Sequence, residues 1–157
     1  WELERRLVLI FLGKSHSSSH VHEKVIRELE GEGPSSKRLE DLRVNAERSR
    51  DAVYEGDWVK LGQAMADNTA AQTRLHPELV GPDAHRIIEI AREHGALGWK
   101  VNGAGGDGGS VTLLCGELSS AKRAMIREIE QENRLWKNLP IYLSRQGIRT
   151  WEQESCR

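Results

Sequence analysis

The chain has 157 residues, enough for one domain with a moderate core. Its 23 Lys and Arg balance 24 Asp and Glu, which excludes the basic footprint of a nucleic-acid binder. The longest apolar run, Leu7 to Leu12, is too short to cross a membrane, and two cysteines, Cys115 and Cys156, make no disulfide framework, so a cytoplasmic protein is expected.

Residues 5–13 read as a strand apolar on both faces, hence central in a sheet, and Gly13 ends it. The chain opens almost directly on this strand, at Trp1 and not at a methionine, so a piece of a longer protein is expected. A polar loop follows, and Ser18 or Ser19 is expected to cap a helix over 20–31, since a hydroxyl there accepts a free N–H of the first turn. His16, His20 and His22 lie beside it, but His20 and His22 are two apart and face different ways on a helix. No metal is expected there.

Ser35 or Ser36 caps a second expected helix over 36–55, with apolar positions Leu39, Leu42, Ala46, Val53 and Tyr54. Gly56-Asp57 breaks it, and Asp57 caps a third over 58–75. So short a break predicts an antiparallel hairpin of helices. Asn68, Thr69, Gln72 and Arg74 interleave with the apolar positions of the third helix and read as solvated. His76-Pro77 opens a turn, in which His76 is either a polar contact or a turn histidine beside a proline. Pro82 starts a fourth helix that buries Ile87, Ile88 and Ala91 and is capped by Gly95.

Trp99 and Val101, then Val111 to Leu114, read as two strands around a glycine-rich loop. Ser119 or Ser120 caps a last helix over about 120–137, with Met125, Ile129 and Trp136 in its core stripe, and Pro140 stops it. Residues 141–143 and 148–151 read as short strands. The order predicts an α+β fold, with a mixed sheet of about four strands and helices packed on one face.

The loop carries the functional signal. Five glycines fall between residues 103 and 109, more than a two-residue turn needs. Such a backbone lets an anion approach its N–H groups closely. Gly103, Gly105 and Gly108 satisfy GxGxxG, but the dinucleotide version needs a helix after the loop, and here a strand follows. Gly108-Gly109-Ser110 lacks the lysine of a Walker loop, and no HRD or DFG sequence of a protein kinase is present.

Lys100-Val101-Asn102-Gly103-Ala104-Gly105-Gly106-Asp107-Gly108-Gly109 resembles the third signature motif of the GHMP small-molecule kinases, approximately Lys-x-x-Gly-Ala-Gly-Gly-Gly-Gly. The resemblance is specific around 98–116 and extends in layout over most of the chain. Asp107 departs from it, standing where that family usually has glycine. The resemblance implies a ferredoxin-like C-terminal domain, with the pair of helices as an inserted hairpin. It also implies ATP-dependent phosphoryl transfer to a hydroxyl or phosphate of a small molecule, with Mg²⁺. The short segments around the motif look most like the sugar or heptose-phosphate branch, and mevalonate-type acceptors stay open.

That family's ATP-phosphate loop, Pro-x-x-x-Gly-Leu-Gly-Ser-Ser in type, belongs to an N-terminal half and is not found here, nor are its catalytic aspartate and lysine. The whole of 1–157 is therefore expected to be the C-terminal domain, inactive alone, whose partners are the N-terminal kinase domain and the small-molecule substrate. By the resemblance, Gly103, Ala104, Gly105, Gly106, Asp107, Gly108 and Gly109 form the phosphate or substrate loop. Ser17, Ser18, Ser19, His76 and Lys100 are candidate substrate contacts. The alternative is a non-catalytic ferredoxin-like module that binds a ligand or dimerises, a reading Asp107 favours. A homodimer through an uncovered apolar face is compatible with either.

Overall fold

The computed structural model describes residues 1–14, 18–31, 36–103, 106 and 108–151, without the side chains of 18–20 and 22. Ser17, Ala104, Gly105 and Asp107 of the expected site lie outside the described residues, as do His16 and Ser35.

A short helix, α1 (Glu2–Arg6), runs directly into β1 (Leu7–Phe11). The helix takes the two residues with which the strand was expected to begin. Glu2 pairs with both Arg5 and Arg6 at helical spacing, which favours the turn over extension. Next comes α2 (Ser18–Glu30). Ser18 and Ser19 thus fall inside the helix, not at its cap. Then α3 (Lys37–Glu55) and α4 (Trp58–Leu75) form the expected hairpin of helices. Ser36 caps α3 by accepting from the Arg38 N–H, and Asp57 caps α4 by accepting from the Lys60 N–H. Between them Gly56 adopts φ +67°, where a side chain would be strained.

After a turn of 3-10 helix over Pro77–Leu79 come α5 (Pro82–Glu93), β2 (Gly98–Asn102), β3 (Ser110–Leu114), α6 (Ser119–Glu132) and β4 (Lys137–Leu139). The four strands run in the order β2-β3-β1-β4, and every pairing is antiparallel, so the sheet expected to be mixed is antiparallel throughout. With α5 and α6 as its two helices, this is the β-α-β-β-α-β plan of a ferredoxin-like domain, with α2 to α4 inserted between β1 and α5.

Strand alternation divides the sheet into two faces. Val8, Ile10, Val101, Val111 and Leu113 point to one side, where they form the main core with Ile87 and Ile90 of α5 and Met125 and Ile129 of α6. Leu7 and Leu114 point to the other side and join Ala52 and Leu61, which brings the helical hairpin over that end of the sheet. The edge strand β2 is further covered by α4.

Three expectations at the end of the chain are corrected. Helix α6 stops at Glu132 because Asn133 turns extended, and Trp136 reaches the core from the following turn, not from the helix. Neither Ser119 nor Ser120 caps α6; the capping position is Leu118, with no side-chain bond. The last strand is Lys137–Leu139, paired to β1 from Phe11↔Lys137 to Leu9↔Leu139, while 141–143 and 148–151 form no strand.

Val53 and Tyr54, expected among the apolar positions of the second helix, are exposed near the α3–α4 turn. No described helix is long and apolar enough to cross a membrane.

Candidate functional site

The glycine loop joins β2 to β3, as the sequence predicts, and its two ends are anchored differently. Gly103, Gly106 and Gly109 have φ of +63°, +58° and +84°, so the chain path repeatedly enters the left-handed region that glycine alone tolerates freely. At the far end, the Gly109 N–H donates to Lys14 O at 3.0 Å and the Leu12 N–H donates to Gly109 O at 3.0 Å. A Cβ on Gly108 would stand 2.5 Å from Lys14 O. The loop's second half is thereby laced to the segment leaving β1, and that lacing leaves no room for a side chain.

The near end is held by α4. Gln72, buried on that helix, donates from Nε2 to Gly103 O at 2.9 Å. Its Oε1 accepts from Lys100 Nζ at 2.5 Å, and Lys100 also donates to Val101 O. Lys100 forms no ion pair with a carboxylate among the described residues. Burial pushes its ammonium down to about 8, because the charged form loses hydration.

One turn earlier, Thr69 serves the strand itself. Its Oγ1 accepts from the Val101 N–H at 3.3 Å and lies 3.2 Å from Trp99 O. These are outward-facing groups of an edge strand, which would otherwise go without partners beneath the helix.

Lys100 and Asn102 alternate with Trp99 and Val101, so they share the face opposite the main core. Across the hairpin they meet Thr112 and Ser110. Asn102 Nδ2 donates to Ser110 Oγ and Thr112 Oγ1, both at 3.0 Å. The mouth of the loop is therefore floored by a polar patch of one amine, one amide and two hydroxyls.

The structure brings Lys100 and Gly103 together through Gln72. It places His76 elsewhere in the hydrogen-bond pattern. His76 is buried, its Nδ1 accepts from the Glu78 N–H at 3.2 Å, and its Nε2 lies 3.6 Å from Glu28 Oε1 on α2. Ser18 and Ser19 supply backbone to the first turn of α2.

Sequence reasoning missed Gln72, Thr69, Asn102, Ser110 and Thr112. The last three carried a signal: a polar residue at every second position on both sides of the loop. Gln72 carried none, because a polar residue on a helix declares no partner until the strand beside it is known.

Among the described residues, an ammonium beside the positive-φ glycines Gly103 and Gly106 is a donor set that suits an oxyanion. It does not fit a cation. No group of three or more His, Cys, Asp and Glu able to hold a metal occurs among the described residues, and no role for Mg²⁺ is assigned to them.

A ferredoxin-like domain that carries a glycine hairpin of this kind defines a class, and comparison with known proteins gives the family. The sequence profile of the GHMP kinases C terminal family matches residues 49–131, more than half of the chain. The chain belongs to that family.

Among solved structures it is similar in fold to the L. major mevalonate kinase in complex with R-mevalonate, with TM-score 0.71 and 24% identity over 84% of this chain and 40% of that one. It is also similar to the Lin0012 protein from Listeria innocua, with TM-score 0.75 and 15% identity over 88% and 39% of the two chains. The chain thus spans about two fifths of the length of each. No curated protein sequence matches it significantly.

Proposed function

We propose that this chain is the C-terminal domain of an ATP-dependent small-molecule kinase and supplies the glycine-rich wall of its active-site cleft. The transferred phosphoryl group passes to a hydroxyl or phosphate of a small metabolite, of the sugar or heptose-phosphate class. The observation that supports this reading is the Lys100 ammonium, which among the described residues is bonded to the neutral oxygens of Gln72 and Val101 beside the glycine loop, in a domain of the GHMP kinases C terminal family.

Phosphoryl transfer needs positioning and charge neutralisation more than covalent help from the protein. In this reading, Lys100 and backbone N–H groups of the Gly103 to Gly109 loop other than that of Gly109, which Lys14 O engages, neutralise and orient phosphate oxygens. ATP supplies the phosphoryl group, and an N-terminal domain outside the chain holds the ATP itself together with Mg²⁺. Ser17, Ser18 and Ser19 are assigned to the acceptor side. His76, whose ring is engaged by Glu78 and Glu28, is assigned to holding its own turn.

The test is phosphoryl transfer by the whole gene product with ATP and Mg²⁺ against a panel of sugars, heptose phosphates and mevalonate, beside the 157-residue chain alone. Turnover by the whole product and none by the chain is the expected result. Absence of turnover on every acceptor, together with an upstream sequence that lacks a Gly-Leu-Gly-Ser-Ser loop, would replace the kinase reading with a non-catalytic ligand-binding or dimerisation module.

A further inference from the structure

We infer that Gln72 is a positioning residue: its single carboxamide clamps the mouth of the glycine loop and the Lys100 ammonium to helix α4 in one fixed relation. The amide group has one donating and one accepting end, and the two ends do different work. Nε2 holds Gly103 O at 2.9 Å, at the first residue of the loop with positive φ. Oε1 holds Lys100 Nζ at 2.5 Å.

A carboxamide offers both a donor and an acceptor from one planar group. Glutamate offers only acceptors, and methionine offers neither. Helix α4 is itself fixed one turn away, by Thr69 on Trp99 and Val101. Gln72 therefore reaches the loop from a rigid base, not from a mobile segment.

The clamp has a directional consequence. Lys100 Nζ has three protons, and two of them are directed by Gln72 Oε1 and Val101 O. Among the described residues the remaining donor has no partner, which leaves it for a ligand, and its direction is set by the other two bonds. Loss of the Gln72 amide frees the ammonium to rotate and the Gly103 peptide to tilt, so the loop and its cation cease to present one fixed constellation. The effect on ligand rests on the oxyanion reading of the loop given above, whereas the clamp itself rests on the geometry alone.

The experiment uses the full 157-residue chain, labelled for NMR, as wild type, Gln72→Glu and Gln72→Met. The first readout is amide exchange at Gly103, Gly106 and Gly109, with β3 amides as the internal control. Loss of one hydrogen bond predicts loop exchange about threefold to tenfold faster in both variants, with β3 unchanged. The second readout is titration of Lys100 Nζ. In Gln72→Glu a carboxylate replaces the amide against the ammonium, so Lys100 must titrate at higher pH than in wild type, a change that a merely space-filling role would not produce.

If Gln72→Met does not fold, Gln72→Glu, which keeps the shape, decides by both readouts. Loop exchange and Lys100 titration equal to wild type in folded Gln72→Glu would overturn the assignment. A third arm measures inorganic tripolyphosphate binding through loop amide shifts. Weaker binding in Gln72→Met than in wild type is expected and supports the clamp's effect on ligand. Equal binding overturns that effect, and no binding to wild type overturns the oxyanion reading while the first two readouts still judge the clamp.

Discussion

Gly62 of α4 and Gly98 of β2 meet backbone against backbone. A Cβ built on Gly98 would stand 2.1 Å from Gly62 O, and one built on Gly62 would stand 2.2 Å from Leu97 O. This contact sets how closely the helix lies along the edge strand, and so brings Thr69 and Gln72 within reach of it. The site therefore begins nearly three helical turns before Gln72 meets the loop, at a pair of residues with no functional groups. Gly62→Ala and Gly98→Ala should each cost about 1–3 kcal/mol by forcing helix and strand apart. Gly116→Ala, which has open space around its Cβ position, is the matched control and should stay near zero. Urea unfolding of the three variants checks this, and equal stability of all three would refute the close contact.

Thr69 turns that proximity into hydrogen bonding. The residue is buried, and Val101 N–H and Trp99 O face it from the edge of the sheet. Thr69→Val keeps the shape and removes the hydroxyl. The Val101 N–H is then left under the helix without an acceptor, at a cost of about 1–3 kcal/mol. Thr69→Ser keeps the hydroxyl and should recover most of that loss. Exchange of the Val101 amide reports the same event locally, and protection unchanged in Thr69→Val would mean that another acceptor serves it.

What was legible in the sequence was what local chemistry decides. Ser36, Asp57, Gly56 and Pro82 mark helix ends because capping and φ preference act over one turn. Leu7 to Leu12 mark a strand because a short, unbroken apolar run bounded by Gly13 suits one buried on both faces, and Val111 to Leu114 mark another beside the glycine loop. The glycine loop stood out for the same reason.

The rest depended on partners distant in sequence. Lys137–Leu139 is exposed along its length and has no strand pattern; it is a strand because it pairs with β1. Ile148 and Trp151 have the composition of a strand but lie exposed without a strand partner. Gln72 read as a solvated helix residue, and only the nearness of β2 to α4 made it a contact of the loop.

Gly108 tests the far anchor of the loop. Its Cβ position is occupied by Lys14 O at 2.5 Å, a backbone atom that cannot swing aside. Gly108→Ala should push the loop away from residues 12–14 and break the paired bonds between Gly109 and both Lys14 and Leu12. A loss of about 1–3 kcal/mol is expected, with faster exchange at the Leu12 and Gly109 amides. In the whole gene product, phosphate-ligand affinity should fall more than in Gly103→Ala, whose added Cβ meets open space although its φ is strained. Equal affinities would place the ligand contact at the near end of the loop instead.

Lys100 makes stability depend on pH with a definite sign. Its ammonium is held down to about 8, against an ordinary value of 10.5, by burial. Below about pH 8 both folded and unfolded chains carry the proton, and the buried charge costs stability in full. Between about 8 and 10.5 the unfolded chain still binds the proton while the folded chain releases it. The unfolded state then holds more protons, so the free energy of unfolding rises with pH across that window. Lys100→Met removes this contribution. The stability advantage of Lys100→Met over wild type should therefore shrink between pH 8 and pH 10.5, as measured by paired urea titrations. Oxyanion binding should run the opposite way, weakening as pH rises past 8 and the amine loses its charge. A difference between wild type and Lys100→Met that is independent of pH would show that Lys100 stays fully charged in the fold, with an opposite charge close by to hold it so.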